Sequence, residues 1–241
     1  MTLRRLAHTA IHAMGYEVRA FRPGASAGAQ LMRMLAAHSI DVVLDVGANV
    51  GQFGTELRGS GYQGVIVSFE PLSTARARLR AAVGSDPRWK IADQAALGAS
   101  DGEVDLNVAA NSASSSVLPM LKRHSDAAPE SAYVGSERVP LRRLDDLVPA
   151  YVTDRSKIFL KIDTQGYEDR VLEGGRRTLE RAVGLSIELS FVPLYGGQLL
   201  YKDMVPRLEA LGFELWNVAP AFIDQNDGRL LQVDGTFFRA R

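Results

Sequence analysis

"DVVLDVGANVGQFGTEL", residues 41–57, decides the fold. Six positions, "DVVLDV", form an apolar run broken only by aspartates, which reads as a strand buried on both faces. Three glycines follow at Gly47, Gly51 and Gly54, and "QFGTEL" then takes up helical spacing. A strand, a glycine turn and a helix in that order open a doubly wound α/β domain, and the turn lies where such sheets bind their ligands. The rest of the chain agrees. Apolar runs at "GVIVSFE" (64–70), "KIFLKID" (157–163) and "GLSIELS" (184–190) alternate with amphipathic stretches at 73–83 and 167–182, and "RWKIADQAAL" (88–97) holds a short strand. The stretch 202–218 reads as helix then strand. Apolar strands alternating with helices predict a mostly parallel sheet covered on both faces.

The glycine spacing G-x-x-x-G-x-x-G places Asn49 where a dinucleotide fingerprint has its middle glycine. Asp45 stands two residues before the first glycine, at the carboxyl end of the strand. A carboxylate there repels a pyrophosphate and attracts a cation. S-adenosylmethionine carries a sulfonium and an ammonium group and no phosphate, so the charge logic selects it. Glu70 closes the second strand, where an acidic side chain accepts the hydroxyls of an adenosine ribose. Glu70 alone fits a nicotinamide dinucleotide equally well. The bland alternative makes Asp45 a helix N-cap and Glu70 a solvated strand end.

Length and composition limit the other classes. The chain has 241 residues, enough for one large α/β domain and too few for two. Lys plus Arg and Asp plus Glu both count 28, so no positive field recruits nucleic acid. The absence of cysteine removes disulfides, thiolate zinc sites and cysteine nucleophiles. No apolar run approaches the roughly 20 residues of a membrane span, and no signal-peptide core is present, so a cytoplasmic protein is expected. Residues 1–40 read as a helical extension and 41–241 as the main domain, with an irregular inserted loop over about 109–140 that lines a cleft or forms a lid. The amphipathic helix of 3–16, with Arg4, Arg5, Arg19 and Arg22 around it, has two readings. It packs on the sheet edge or covers the cofactor cleft, the favoured reading, or makes weak peripheral contact with a membrane.

Five segments, "DVGANVGQFG", "FEP" (69–71), "QAALGASDGEVDLNV" (94–108), "LKIDTQGYEDRVLEGG" (160–175) and "IELSFVPLYGG" (187–197), resemble in order and spacing the FkbM family of S-adenosylmethionine-dependent methyltransferases. "DTQGYE" and "PLYGG" are further similar to mycobacterial sugar O-methyltransferases acting on glycopeptidolipids. The resemblance implies a Rossmann-like, seven-stranded class I fold with one antiparallel strand. It also implies that Asp45, Gly47, Asn49 and Gly51 wrap the methionine moiety, Glu70 the ribose, and Asp93, Gln94 and Ala95 the adenine edge. Family members methylate hydroxyls on sugars and natural products, so a small-molecule or glycolipid acceptor is expected.

Methylating an aliphatic hydroxyl needs a positioned base. Three residues are candidates. Asp163 ends "KIFLKI" at the sheet edge, with helix capping as its other reading. Glu188 sits in an apolar strand, where a carboxylate has either a job or a partner such as Lys161. His124 titrates near neutrality, unless it is a surface histidine. Ser114, Ser115 and Ser116 contact substrate or belong to a flexible loop, and Tyr195 offers a platform for a sugar face or packs in the core. No metal motif is visible, although magnesium held by Asp163 and Glu188 is chemically conceivable. A nicotinamide-dependent sugar reductase or epimerase is the rival enzyme, but no tyrosine has a lysine four residues on. A binding-only domain is the second rival.

Overall fold

The computed structural model describes residue 9 and residues 11–15 and 26–240. The greater part of the amphipathic segment 3–16, and Arg19 and Arg22 with it, lies outside the described residues. The first described helix of the main body is α1 (Ala27–Ala37), N-capped by the Ser26 hydroxyl, which accepts from the Ala29 N–H at 3.2 Å.

Seven strands form the main sheet in the order β3-β2-β1-β7-β8-β10-β9. They are β1 (Val42–Val46), β2 (Val65–Phe69), β3 (Trp89–Ile91), β7 (Ile158–Ile162), β8 (Ala182–Ser190), β9 (Phe213–Ile223) and β10 (Leu230–Arg239). The first five pair in parallel, and β10 runs antiparallel to both neighbours, β8 and β9. The expected seven-stranded, mostly parallel α/β sheet with an antiparallel strand is therefore present. Its helices are α1, α2 (Gln52–Gly59), α3 (Ser73–Val83), α4 (Lys122–Ala127), α5 (Leu144–Leu147), α6 (Glu168–Gly174), α7 (Arg176–Arg181) and α8 (Tyr201–Ala210). One face of the sheet packs Leu44, Val46, Leu160, Ile162 and Leu185 with Val171 and Leu208. The other packs Val43, Ile66, Phe159 and Phe238 with Leu35, Leu57 and Trp89.

The helix read over 167–182 is broken into α6 and α7 at Gly174 and Gly175. A Cβ on Gly174 would lie 1.9 Å from the Gly98 carbonyl oxygen, so this close approach requires glycine. The short strand expected in 88–97 divides between two sheets, β3 in the main one and β4 (Ala96–Leu97) in a second. That second sheet, ordered β4-β6-β5, takes in β5 (Gly102–Ala109), which the sequence reading assigns to no element, and β6 (Tyr133–Arg142), most of which it places in the irregular loop. Its signal is there in Val104, Leu106 and Val108, which alternate with polar residues, and Leu106 and Val139 pack with Leu72 and Ala75 of the helix side. Only 110–132 between these strands is loop and short helix, and it hangs over the carboxyl ends of β1 and β7.

Candidate active site

A cavity of about 290 Å³ opens at the carboxyl ends of β1, β2 and β7. Its floor is the turn after β1. Gly47 has φ +77°, and a Cβ there would sit 1.7 Å from the Asp163 carbonyl oxygen, so glycine is demanded by conformation and by space. Asn49 holds φ +46°, donates its N–H to Glu70 Oε2 at 2.7 Å, and accepts from the Ser112 hydroxyl at 3.0 Å. Glu70 also accepts the Leu72 N–H at 2.8 Å, and burial pushes its carboxyl up to about 7 against these two bonds. Four non-glycine residues among the described ones have positive φ, and three of them, Asn49, Ser112 and Gln165, line this cavity. Strain gathered at one cleft marks a functional site.

Among the described residues the cavity wall carries the carboxylates of Glu56, Glu70, Asp163 and Asp234 against one ammonium, Lys161. This surplus of negative charge suits a cationic ligand and opposes a pyrophosphate. Lys161 Nζ lies 3.1 Å from Asp163 Oδ2 and 3.8 Å from Asp45 Oδ1. Burial pulls its pKa down, but Asp163 and Asp45 outweigh burial and hold the ammonium above the ordinary lysine value. Asp45 is wholly buried behind the wall, not on it, and burial raises its carboxyl despite Lys161 and a 3.2 Å hydrogen bond from the Ser68 hydroxyl. Trp89 completes the chain by donating its indole N–H to Ser68 at 3.0 Å.

Gln165 ties the catalytic candidates together. Its Nε2 donates to Asp163 Oδ1 at 2.8 Å and to Glu188 Oε2 at 3.1 Å, while its Oε1 accepts from the Tyr195 hydroxyl at 2.7 Å. Glu188 is half-buried, and Gln232 Nε2 donates to the same oxygen, Oε2, at 2.7 Å. Burial and the neighbouring Asp163, Glu168 and Asp234 raise it well above the ordinary carboxylate value. Its expected partner, Lys161, is taken by Asp45 and Asp163 instead. The turn carrying Gln165 is held by Glu168, whose Oε1 accepts from the N–H groups of Thr164 and Gly166 at 2.9 and 3.0 Å.

The cavity thus brings together Gly47, Asn49, Glu70, Ala95, Ser115 and Asp163 of the residues singled out in the sequence. Others stand away from its wall. Gly51 is needed for packing, since its φ is +89° and a Cβ would meet Leu79 at 2.9 Å. Asp93 is exposed, and Gln94 turns to the Pro71 carbonyl at 2.7 Å. Ser114 and Ser116 are buried, Ser116 donating to the Gln165 carbonyl at 2.7 Å. Tyr195 is wholly buried and offers no face to a sugar. His124 is neither at the surface nor on the wall: it packs between Tyr195 and Phe222, ring centroids 5.0 and 5.1 Å away, and burial lowers it to about 4. Gln165, Ser112, Asp234 and the double pairing of Lys161 escape the sequence reading, although Gln165 and Lys161 both lie inside the quoted segment 160–175. Among the described residues no three His, Asp or Glu side chains are grouped to hold a metal, and no helix is long and apolar enough to cross a membrane.

Comparison with known proteins agrees with this geometry. Over 177 residues the chain is 27% identical to the 2-O-methyltransferase NoeI of Sinorhizobium fredii, covering 70% of this chain and 72% of that one. A solved structure from Listeria monocytogenes, described as an S-adenosylmethionine-dependent methyltransferase, superposes with a TM-score of 0.50 at 8% identity, over 88% of this chain and 97% of that one. That likeness concerns the fold. The methyltransferase FkbM domain matches residues 45–215, well over half of the chain. The protein therefore belongs to the FkbM family of S-adenosylmethionine-dependent methyltransferases.

Proposed function

We propose that this enzyme methylates a hydroxyl oxygen, on a sugar of a glycolipid or glycopeptidolipid or of a secondary metabolite. The observation that carries the reading is Asp163, a carboxylate on the cavity wall held between Lys161 Nζ and Gln165 Nε2. The methyltransferase similar in sequence, NoeI, is by its name a 2-O-methyltransferase, which supports oxygen as the target.

S-adenosylmethionine supplies an electrophilic methyl group, and the residues present fit it. Gly47 and Asn49 leave room for the methionine moiety, whose ammonium is favoured by the carboxylate surplus and whose carboxylate is favoured by the N-terminus of α2. Glu70 receives the ribose hydroxyls. Ala95, with Leu72, Leu97, Leu106 and Val117, offers an apolar slot for adenine, with Asp93 and Gln94 at its outer edge. Asp45 acts from beneath, by fixing Lys161.

An aliphatic hydroxyl is barely ionised at neutral pH, so its proton must leave as the new bond forms. Asp163 receives it. Lys161 and Gln165 hold that carboxylate in one orientation, and Glu188, which also accepts from Gln165 Nε2, fixes the Gln165 amide from behind. Tyr195 fixes the Gln165 amide and, in this role, positions and does not touch substrate; Ser115 lies on the wall for the acceptor, and Ser116 anchors the Gln165 turn. The test is mass spectrometry of cell extracts incubated with the enzyme and methyl-labelled S-adenosylmethionine. Label on the oxygen of a sugar supports the reading; label on nitrogen overturns it.

A further inference from the structure

A second cavity, of about 120 Å³, lies beside the first and shares Phe53, Glu56 and Asp234 with it. It is walled by the start of α1 (Ala27, Gly28, Leu31), by α2, and by β8, β10 and β9. Its floor is part of a row that crosses five neighbouring strands in register: Asp45 beside Lys161, Lys161 beside Ser186, Ser186 beside Thr236, and Thr236 beside Asn217. Central strands of a covered sheet are ordinarily continuous apolar runs. Here a polar side chain takes the position of each strand in this row, and Ser186 and Thr236 are buried there, 8% and 6% exposed.

Six polar side chains line this cavity: Glu56, Ser60, Ser186, Asn217, Asp234 and Thr236. None of them is hydrogen-bonded or ion-paired to another group among the described residues, so their donors and acceptors remain available to a ligand. Phe53 and Leu31 add apolar surface. Hydroxyls, amide and carboxylates together match a ring that bears several hydroxyl groups and a carbon–hydrogen face. The two carboxylates, with no cation lining the cavity among the described residues, disfavour a phosphorylated or carboxylated ring. At 120 Å³ the space is roughly eight times what one water needs.

We propose that this second cavity is the acceptor subsite and that it takes a neutral polyhydroxylated ring, which enters the cofactor cavity past Phe53, Glu56 and Asp234. The inference rests on the hydroxyl-methylating reading above and adds that the acceptor ring is uncharged and where it sits. Asp234 and Glu56 accept from ring hydroxyls, and Asn217 donates to a ring oxygen.

The experiment uses the full chain saturated with S-adenosylhomocysteine. Binding of methyl α-D-glucopyranoside, methyl α-L-rhamnopyranoside, methyl α-L-fucopyranoside and glucose 6-phosphate is followed by saturation-transfer NMR. At least one neutral glycoside is expected to saturate, and the phosphate is not. A Cβ on Gly28 would lie 2.9 Å from Glu56 Oε1 and 3.3 Å from Ser60 Oγ, so Gly28→Leu fills the cavity. Asn217→Ala, a milder change, covers the case in which Gly28→Leu fails to fold. Each should weaken the glycoside about tenfold, the scale of one or two lost hydrogen bonds, with S-adenosylhomocysteine affinity within about twofold. Unchanged glycoside affinity in Asn217→Ala, no saturable glycoside, or equal binding of the phosphate overturns the subsite. Methyl label on nitrogen, with glycoside binding still sensitive to Asn217→Ala, would sink the proposed reaction and leave the subsite standing.

Discussion

Replacing Lys161 with Met tests whether the cation–carboxylate core under the cavity is what the geometry says it is. Lys161 Nζ has side-chain exposure of 13% and lies 3.8 Å from Asp45, whose side chain is fully buried. At that distance and an effective dielectric of about 20, the lost attraction is ~4 kcal/mol. Removing one member of a buried pair typically costs about 3–5 kcal/mol, since the other charge stays buried alone. Asp163 lies nearer, at 3.1 Å, but is 32% exposed, so solvent screens much of its share. Lys161→Met should therefore lose about 3–4 kcal/mol at pH 7 and, for a chain of this size, roughly 6–16 °C in Tm. The pH dependence has a definite sign. Asp45 is already raised above 3.8 in the folded protein by burial, so the stability its proton contributes is complete below that value and is lost as pH rises through the folded one. Without Lys161 the folded value climbs further, so the deficit is largest at neutral pH and shrinks on acidification. The double variant Asp45→Asn/Lys161→Met removes the lone buried charge and should recover at least half of the loss. Urea denaturation followed by circular dichroism at pH 5 and pH 7 reads all three quantities. A Lys161→Met deficit below about 1 kcal/mol, or a double variant no more stable than the single one, would refute the argument.

Asp163→Ala should keep the fold and S-adenosylhomocysteine binding while turnover falls at least about a hundredfold, the usual scale of a lost general base; normal turnover would move the base elsewhere. Burial puts Glu70 at about 7, so it takes up a proton as pH falls from 8 to 6 and accepts one hydrogen bond fewer. Calorimetry should show S-adenosylhomocysteine binding weaken over that range in the wild type and stay flat in Glu70→Gln; equal wild-type affinities at both pH values would contradict the ribose assignment. Lys161 already sets a fixed cation against Asp45 and Asp163, so treatment with a chelator should leave most activity intact, whereas complete loss restored only by magnesium would show that a metal is needed.

What was legible in the sequence is what depends on neighbours along the chain. Backbone sterics make Gly47 the turn after an apolar strand, and a period of two or 3.6 in apolar residues separates strand from helix wherever one face dominates. Hence the order of elements, the position of the ligand turn and Glu70 at the end of the second strand could all be read directly. The second sheet was missed because its strands are half exposed: alternation at Val104, Leu106 and Val108 is faint among glycines and serines. Tertiary structure alone decided which charges meet. Lys161 stands 116 residues from Asp45 in the sequence, and only the parallel register of β1 against β7 seats it between Asp45 and Asp163 rather than beside Glu188. Tyr195 and His124 carry the same chemistry inside or outside a core. The folding of the 110–132 stretch against the end of β8 put one under Gln165 and the other in an aromatic cluster. The second cavity belongs wholly to this level, because its walls come from four sequence regions, 27–31, 53–60, 186 and 217–236, that loop closure brings together, and no local spacing encodes the distance between them.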